Sequence, residues 1–178
     1  MKLKEIADVI SGFAFKSEWF ESEGTPLIRI SDFSDRKVNQ QKSVYINTKY
    51  HNIPSKYYAQ NGDILMALSG ATTGKIGIID KKSEGSLVNQ RIAIIRSHKL
   101  TTQKFIQYIF TDHILKQLLN EAGGAAQKNL SPKALMNLEI PLPSINEQKR
   151  IIEILDRADA IRQKRKRAIE LTEELARS

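Results

Sequence analysis

Over the first 95 or so residues, apolar side chains come in short aliphatic or β-branched runs, at 26–30, 43–46, 63–68, 75–79 and 91–95, separated by Gly, Pro, Asn and Asp. Short runs of this kind bounded by turn formers predict strands, and so a sheet-rich body. Gly62, Gly70, Gly74 and Gly77 punctuate the runs, marking turns or bulges where a Cβ would clash. After residue 101 the period changes. Phe105, Ile106, Ile109, Phe110, Ile114, Leu115, Leu118 and Leu119 recur at steps of three and four, which predicts one amphipathic helix over 102–120, closed by Gly123-Gly124. Ser131-Pro132 pairs a cap residue with a ring suited to the first helical position, so a short helix to about Met136 is expected. The extended segment 138–143 then ends this body.

Ser144, followed three residues later by Glu147, forms a capping box and predicts the start of a long helix. Ile151, Ile154, Leu155, Ala158, Ile161, Ala168, Ile169, Leu171 and Leu175 broadly follow a 3-4 alternation, and neither Gly nor Pro interrupts 147–177. At 1.5 Å per residue the helix extends roughly 45 Å, more than the body of a small domain covers, so part of it is expected to project. A projecting apolar stripe calls for a partner helix, and coiled-coil or bundle pairing is the simplest cover. The fold class expected is α+β: a sheet-rich body with flanking helices over 1–143, and an association helix over 144–178. The interface candidates are Ile151, Ile154, Leu155, Ala158, Ile161, Ala168 and Leu175.

Composition narrows the function. The 178 residues carry a formal net charge of +8 and no cysteine. Disulfides and Cys-based metal centres are excluded. The longest stretch without Asp, Glu, Lys or Arg is 64–74, far short of the roughly 20 apolar residues of a bilayer span. Glu5 and the absence of an early apolar run argue against a secretory signal, so a cytoplasmic address and no membrane partner are expected. The basic balance favours a polyanionic partner. Both parts share it, with 19 Lys and Arg against 13 Asp and Glu over 1–143, and 9 against 7 over 144–178.

Gly70-Ala-Thr-Thr-Gly74-Lys75 has three residues between its glycines and Ile76 after the lysine. A nucleotide-binding P-loop needs four residues there and a Ser or Thr magnesium ligand, so ATP binding is not expected. The loop suits a phosphodiester, because backbone N–H groups approach closely where side chains are absent. A plain hairpin loop fits the same residues. Glu147-Gln-Lys149 matches a nuclease fragment but lacks the upstream Asp of such sites, and Glu147 is accounted for as a cap. His51, His98 and His113 have no metal-ligand spacing. No nucleophile elbow, methyltransferase cofactor loop or aromatic-proline tetrapeptide is present, so the chain reads as non-catalytic, with no cofactor or metal of its own. Gln127-Lys-Asn129 and Asn89-Gln-Arg91 combine cations with amides able to pair with adenine. Arg162-Gln-Lys-Arg-Lys-Arg167 places five cations in six residues of the helix, as a solvated face or as a contact for phosphates or an acidic partner.

The order of these pieces resembles the specificity (S) subunit of type I restriction-modification systems. The matching residues are Gly12-Phe-Ala-Phe-Lys16, Pro26-Leu-Ile-Arg-Ile-Ser-Asp32, Gly62-Asp-Ile-Leu-Met66, Ser69-Gly-Ala-Thr-Thr-Gly-Lys-Ile-Gly77 and Asn89-Gln-Arg91. Gln127 before Leu130-Ser131, Ile140-Pro-Leu-Pro143 and Glu147-Gln-Lys-Arg-Ile151 complete the series, which spans nearly the whole chain. The resemblance implies a target recognition domain over about 1–143 and a spacer helix after it. It also implies double-stranded DNA and modification subunits as partners, a restriction subunit indirectly, and S-adenosylmethionine held by the modification subunit. Relatives usually carry two such units with antiparallel spacer helices. This chain carries one, as a half-length subunit, a fragment or a differently organised relative. Pairing of two copies through 144–178 implies a two-fold complex, an interrupted palindromic target, and reading domains about one DNA turn (34–36 Å) apart. The DNA-contact candidates are Lys16, Arg29, Thr72, Thr73, Lys75, Gln90, Arg91, Gln127, Lys128 and Asn129. A protein-interaction module with an incidental basic surface is the competing class, and a stand-alone nuclease acting through Glu147 the third.

Overall fold

The computed structural model describes residues 1–40, 44–110, 112–121 and 129–177. The chain divides into two compact units, Met1–Pro141 and Leu142–Ser178. The strands of the first unit are β1 (Ala7–Ser11), β2 (Phe20–Glu21), β3 (Thr25–Ile28), β4 (Phe33–Ser34), β5 (Lys37–Val38), β6 (Val44–Ile46), β7 (Ile64–Ala67), β8 (Ile76–Ile78), β9 (Leu87–Val88) and β10 (Ile92–Ser97). Its helices are α1 (Leu100–Ile109), α2 (Asp112–Glu121) and α3 (Pro132–Asn137), and the second unit is built on α4 (Ile145–Arg177). The architecture is α+β.

Two sheets form, in the orders β1-β10-β7-β8-β5-β4 and β2-β6-β3-β9. β7 and β10 lie inside the larger sheet, and their apolar runs serve two cores, because successive side chains leave opposite faces of a strand. Ile64, Met66, Ala93 and Ile95 join a core with Ile106, Phe110, Leu118 and Leu135 from the helices. Leu65, Ala67, Ile92 and Ile94 join a second with Ile28, Phe33, Ile79 and Val88. Every residue of β7 and the first four of β10 are buried, which is why these segments read as unbroken apolar runs. Phe15, Leu27, Ile46, Ile53 and Leu87 form a third cluster, on the smaller sheet, bordered by Phe13, Trp19 and Tyr57.

The five runs read as strands coincide with β3, β6, β7, β8 and β10, their ends shifted by a residue or two; Ser43 lies outside the described residues. β1, β2, β4, β5 and β9 carry no such apolar run. The helix expected over 102–120 is two helices instead. α1 ends at Phe110, whose ψ of 70° leaves helical geometry. Phe110 is fully buried, and its carbonyl accepts a 2.7 Å hydrogen bond from Arg36 Nη1, while Arg36 Nη2 donates to Gln107 O. The guanidinium thus takes carbonyls at the end of α1, where a helix leaves them without internal partners. Arg36 and Asp35 form the two-residue turn between β4 and β5, both with positive φ (61° and 50°). Such turns match the right-handed twist of the strands they join. Gly123-Gly124, expected to close the helix, lies outside the described residues.

The expected caps form. Ser131 Oγ accepts from Ala134 N at 3.1 Å with Pro132 at the first helical position, opening α3. At α4, Ser144 N donates to Glu147 Oε2 at 2.9 Å, and Glu147 N donates to Ser144 Oγ at 3.4 Å. Ser144 Oγ also donates to Glu147 Oε2 at 2.7 Å, and the two bonds that the carboxylate accepts from Ser144 hold it below its ordinary value of 4.5, the hydroxyl acting most strongly. Every residue from Arg157 to Arg177 is exposed. Among the described helices, none is long and apolar enough to cross a membrane.

Candidate nucleic-acid interface

Three loops of the first unit meet at Leu68. Its amide donates to Arg91 O at 2.8 Å, and its carbonyl accepts from Leu130 N at 2.7 Å. The β7–β8 loop, the β9–β10 turn and the segment leading into α3 are thereby tied to one backbone position. The backbones of all three are thus held close to one another, although they lie up to 62 residues apart in the chain.

Each loop has its own internal bracing. In the β7–β8 loop, Gly74 N donates to Ala67 O and Lys75 N to Thr72 O, both at 2.9 Å, with Gly70 and Gly74 at positive φ. Thr73 Oγ1 donates to Gly70 O at 2.7 Å, so its hydroxyl braces the turn. Thr72 Oγ1 is buried and has no hydrogen-bond partner among the described residues. Lys75 is exposed. This geometry is that of a hairpin loop, and it leaves the lysine at the rim.

The β9–β10 turn is held by Asn89. Its side-chain oxygen accepts from Arg91 N at 3.2 Å, its carbonyl accepts from Ile92 N at 3.0 Å, and its amide donates to Ile28 O at 3.1 Å. Asn89 thus shapes the turn, and Gln90 and Arg91 are left exposed on it. Gly12 lies against the same turn so closely that a Cβ there would sit 2.3 Å from Asn89 O and 2.4 Å from Val88 O. Only glycine allows that approach.

Of the ten predicted contact residues, the structure gathers Thr72, Thr73, Lys75, Gln90, Arg91 and Asn129 around Leu68. Arg29 borders the group, since Ile28 O binds Asn89 N and the Ile30 side chain lies over Gly70. Arg29 is partly committed within the fold: its amide donates to the buried Asp32 at 2.8 Å, and Nη2 lies 3.9 Å from the same carboxylate. Lys16 is exposed, follows Phe15 of the smaller sheet's cluster and lies 3.5 Å from Glu18. Gln127 and Lys128 lie outside the described residues.

The structure adds residues that the sequence reading passed over. A cleft of about 480 Å³ adjoins the β7–β8 loop, floored by Phe33, Ile76, Leu115 and Leu119 and flanked by Lys75, Arg36 and Lys116. Lys116 is four residues past Asp112 on α2, and no sequence signal links that helix face to the 70–75 loop. His51, which lacks metal-ligand spacing in the sequence, stacks its ring on Trp19 at 4.0 Å between centroids. Among the described residues there is no group of three or more His, Cys, Asp or Glu able to hold a metal ion.

A family model for the type I restriction modification DNA specificity domain matches residues 1–172. The chain is 30% identical over 178 residues to the type I restriction enzyme MjaVIII specificity subunit of Methanocaldococcus jannaschii, covering 96% of this chain and 42% of the relative. It is 30% identical over 158 residues to the EcoBI specificity subunit of Escherichia coli, covering 88% of this chain and 31% of that protein. The chain therefore spans less than half the length of these relatives. In structure it resembles the HsdS subunit of Thermoanaerobacter tengcongensis, with a TM-score of 0.72 at 23% identity over 94% of this chain and 38% of that one. That likeness shares the α+β fold, long C-terminal helix included. With the family model spanning both units, the chain belongs to the type I restriction modification DNA specificity domain family.

Proposed function

We propose that this chain is a sequence-reading, non-catalytic component of a type I restriction-modification methyltransferase, acting in the cytoplasm. In this reading the domain over 1–143 recognises one half of a bipartite DNA target and docks modification subunits. Methylation takes place in those subunits, which hold S-adenosylmethionine, and cleavage in a restriction subunit reached indirectly. The observation that carries the proposal is the convergence of three loops on Leu68, which brings exposed Lys75, Gln90, Arg91 and Asn129 to one place. Cations there neutralise phosphates, while amides and arginine reach base edges. Gln127, Lys128 and Arg29 extend the same contact set, Thr72 and Thr73 shape its loop, and Lys16 makes a more distant contact.

The 144–178 helix pairs with the same helix of a second copy. Two seven-residue series support this: Ile151, Ala158, Arg165, Thr172 and Ile154, Ile161, Ala168, Leu175. They lie on one side of α4, and Ile154, Ile161 and Leu175 are 59%, 55% and 76% exposed. A seam of this spacing is the pattern that a partner helix covers. The homodimer then reads an interrupted palindrome.

Selection of bound duplexes from a random pool, with a modification subunit present, tests the reading. The expected product is a split, two-fold symmetric sequence; recovery of no preferred sequence would sink it. Within that complex, Lys75→Ala is expected to weaken all duplexes alike and to lower the salt slope by about one for each copy, as a phosphate contact does. A change in which sequence is preferred would instead place Lys75 on a base.

A further inference from the structure

The charges of α4 are segregated along it. Arg162, Lys164, Arg165, Lys166 and Arg167 occupy its middle, and all five side chains are exposed. From Asp159 through Glu170 the net charge is +3, after both flanking carboxylates are counted. The apolar positions have a symmetry of their own. Reversing the helix about Gln163 lays Ile151 opposite Leu175, Leu155 opposite Leu171 and Ala158 opposite Ala168. An antiparallel pair in this register faces Arg165 with Ile161 of the other copy. A parallel pair stacks Arg165 on Arg165 inside the seam, which like charges in a partly desolvated contact oppose.

The antiparallel register has an electrostatic consequence. Both basic segments fall within about 6 Å of the two-fold axis, four residues at 1.5 Å each. Ten cations thus gather at the crossing. The pair gains its apolar seam while crowding like charge, an arrangement that a polyanion at that place would relieve. Symmetry supplies one: a two-fold protein on a two-fold DNA target shares its axis with the target's centre, where the unread base pairs of an interrupted palindrome lie.

We infer that residues 162–167 form a second, sequence-independent DNA contact, directed at the phosphates of the unread spacer. This rests on the dimeric DNA-reading function proposed above. Lys166 and Arg167 lie on the side of the helix away from the apolar series, so they are the members able to act without disturbing the seam. Affinity from the spacer contact depends on salt and not on sequence, and it adds to that of the reading loops.

The test compares the full chain with K166Q/R167Q, using the selected duplex, at several salt concentrations, with dimer mass followed by light scattering. The expected result is an unchanged dimer and unchanged sequence preference, with the salt slope lowered by about four, one for each cation lost from the two arms. Replacing the phosphates of the central base pairs with neutral methylphosphonates should weaken binding by the full chain and leave the variant's binding unaltered. Equal slopes for both proteins, with DNA binding intact, would overturn the spacer contact and leave the cluster to an acidic protein partner. Failure of the unmodified chain to bind any duplex would overturn the reading function itself, and the spacer contact with it.

Discussion

The two units spend their side chains in opposite ways. In the first, β7 buries every residue along its length and β10 its first four, and the buried Asp63 is matched within the fold. Asp63 is 2% exposed, and both of its oxygens accept from the Arg96 guanidinium, at 2.8 and 2.6 Å. Arg96 also donates to Tyr58 O at 3.0 Å, and Gln60 N donates to Asp63 at 2.7 Å. In the second, the buried residues of a 33-residue helix are Gln148 and Ile152, and from Arg157 onward its apolar and cationic positions alike are exposed. The contrast fits the two roles proposed above. A body that must present loops to a ligand needs those loops tied to a rigid interior, whereas an association helix needs its contact surface left open until a partner arrives.

Four substitutions or conditions probe this contrast. Asp63→Ala should have the largest effect, since it strands a largely buried guanidinium: a loss of about 3–5 kcal/mol in the first unit, measured by urea unfolding. A loss under about 1 kcal/mol would mean that the ion pair is not part of what holds the body together. Gly12→Ala comes next. Its methyl collides with backbone that cannot retreat, at a cost of about 1–3 kcal/mol. Because the collision is with the Asn89 turn, DNA affinity should fall by more than the loss of folded protein explains. The same affinity per folded molecule would show that the turn is not part of the interface.

Ile154→Asp combined with Ile161→Asp reverses the pattern. The unfolding midpoint of the first unit should stay within about 0.5 kcal/mol of the parent, as for exposed positions generally. Light scattering should show the proposed dimer for the parent and monomer for the variant, and a variant that dimerises like the parent would move the seam elsewhere. The smallest effect concerns pH. The Glu147 carboxyl is held below 4.5 by Ser144, so its contribution to the start of α4 is complete above that value and is lost as pH falls through the depressed one. Helical Cα shifts of residues 145–148 should therefore decline in acid. Glu147→Gln should flatten that pH response, and a response equal to the parent's would assign it to another group.

The candidate site was legible in part. The glycine-rich 70–75 loop and the Asn89-Gln-Arg91 turn stand out as polar islands between apolar runs, because turns concentrate such residues. Their meeting at Leu68 is not written in either, since it depends on hydrogen bonds between residues 23 and 62 positions apart. Lys116 was missed for the same reason. Arg36 is a further case: a turn residue of no evident role in the sequence stops a helix more than seventy residues away.

What the sequence determined by itself is local. The serine caps of α3 and α4, the uninterrupted length of α4, its largely apolar seven-residue series and its central basic block follow from side chains within a few positions of one another. So do the innermost strands, whose apolar runs reflect burial on both faces. Tertiary structure alone decided the break after Ile109, the five strands that lack an apolar run, the parallel pairings of β3 with β9 and β5 with β8, and the gathering of three loops at one residue. Each of these depends on partners brought from a distance. A short segment cannot encode them, because the energy that holds it in place resides in atoms it meets only after the chain has closed.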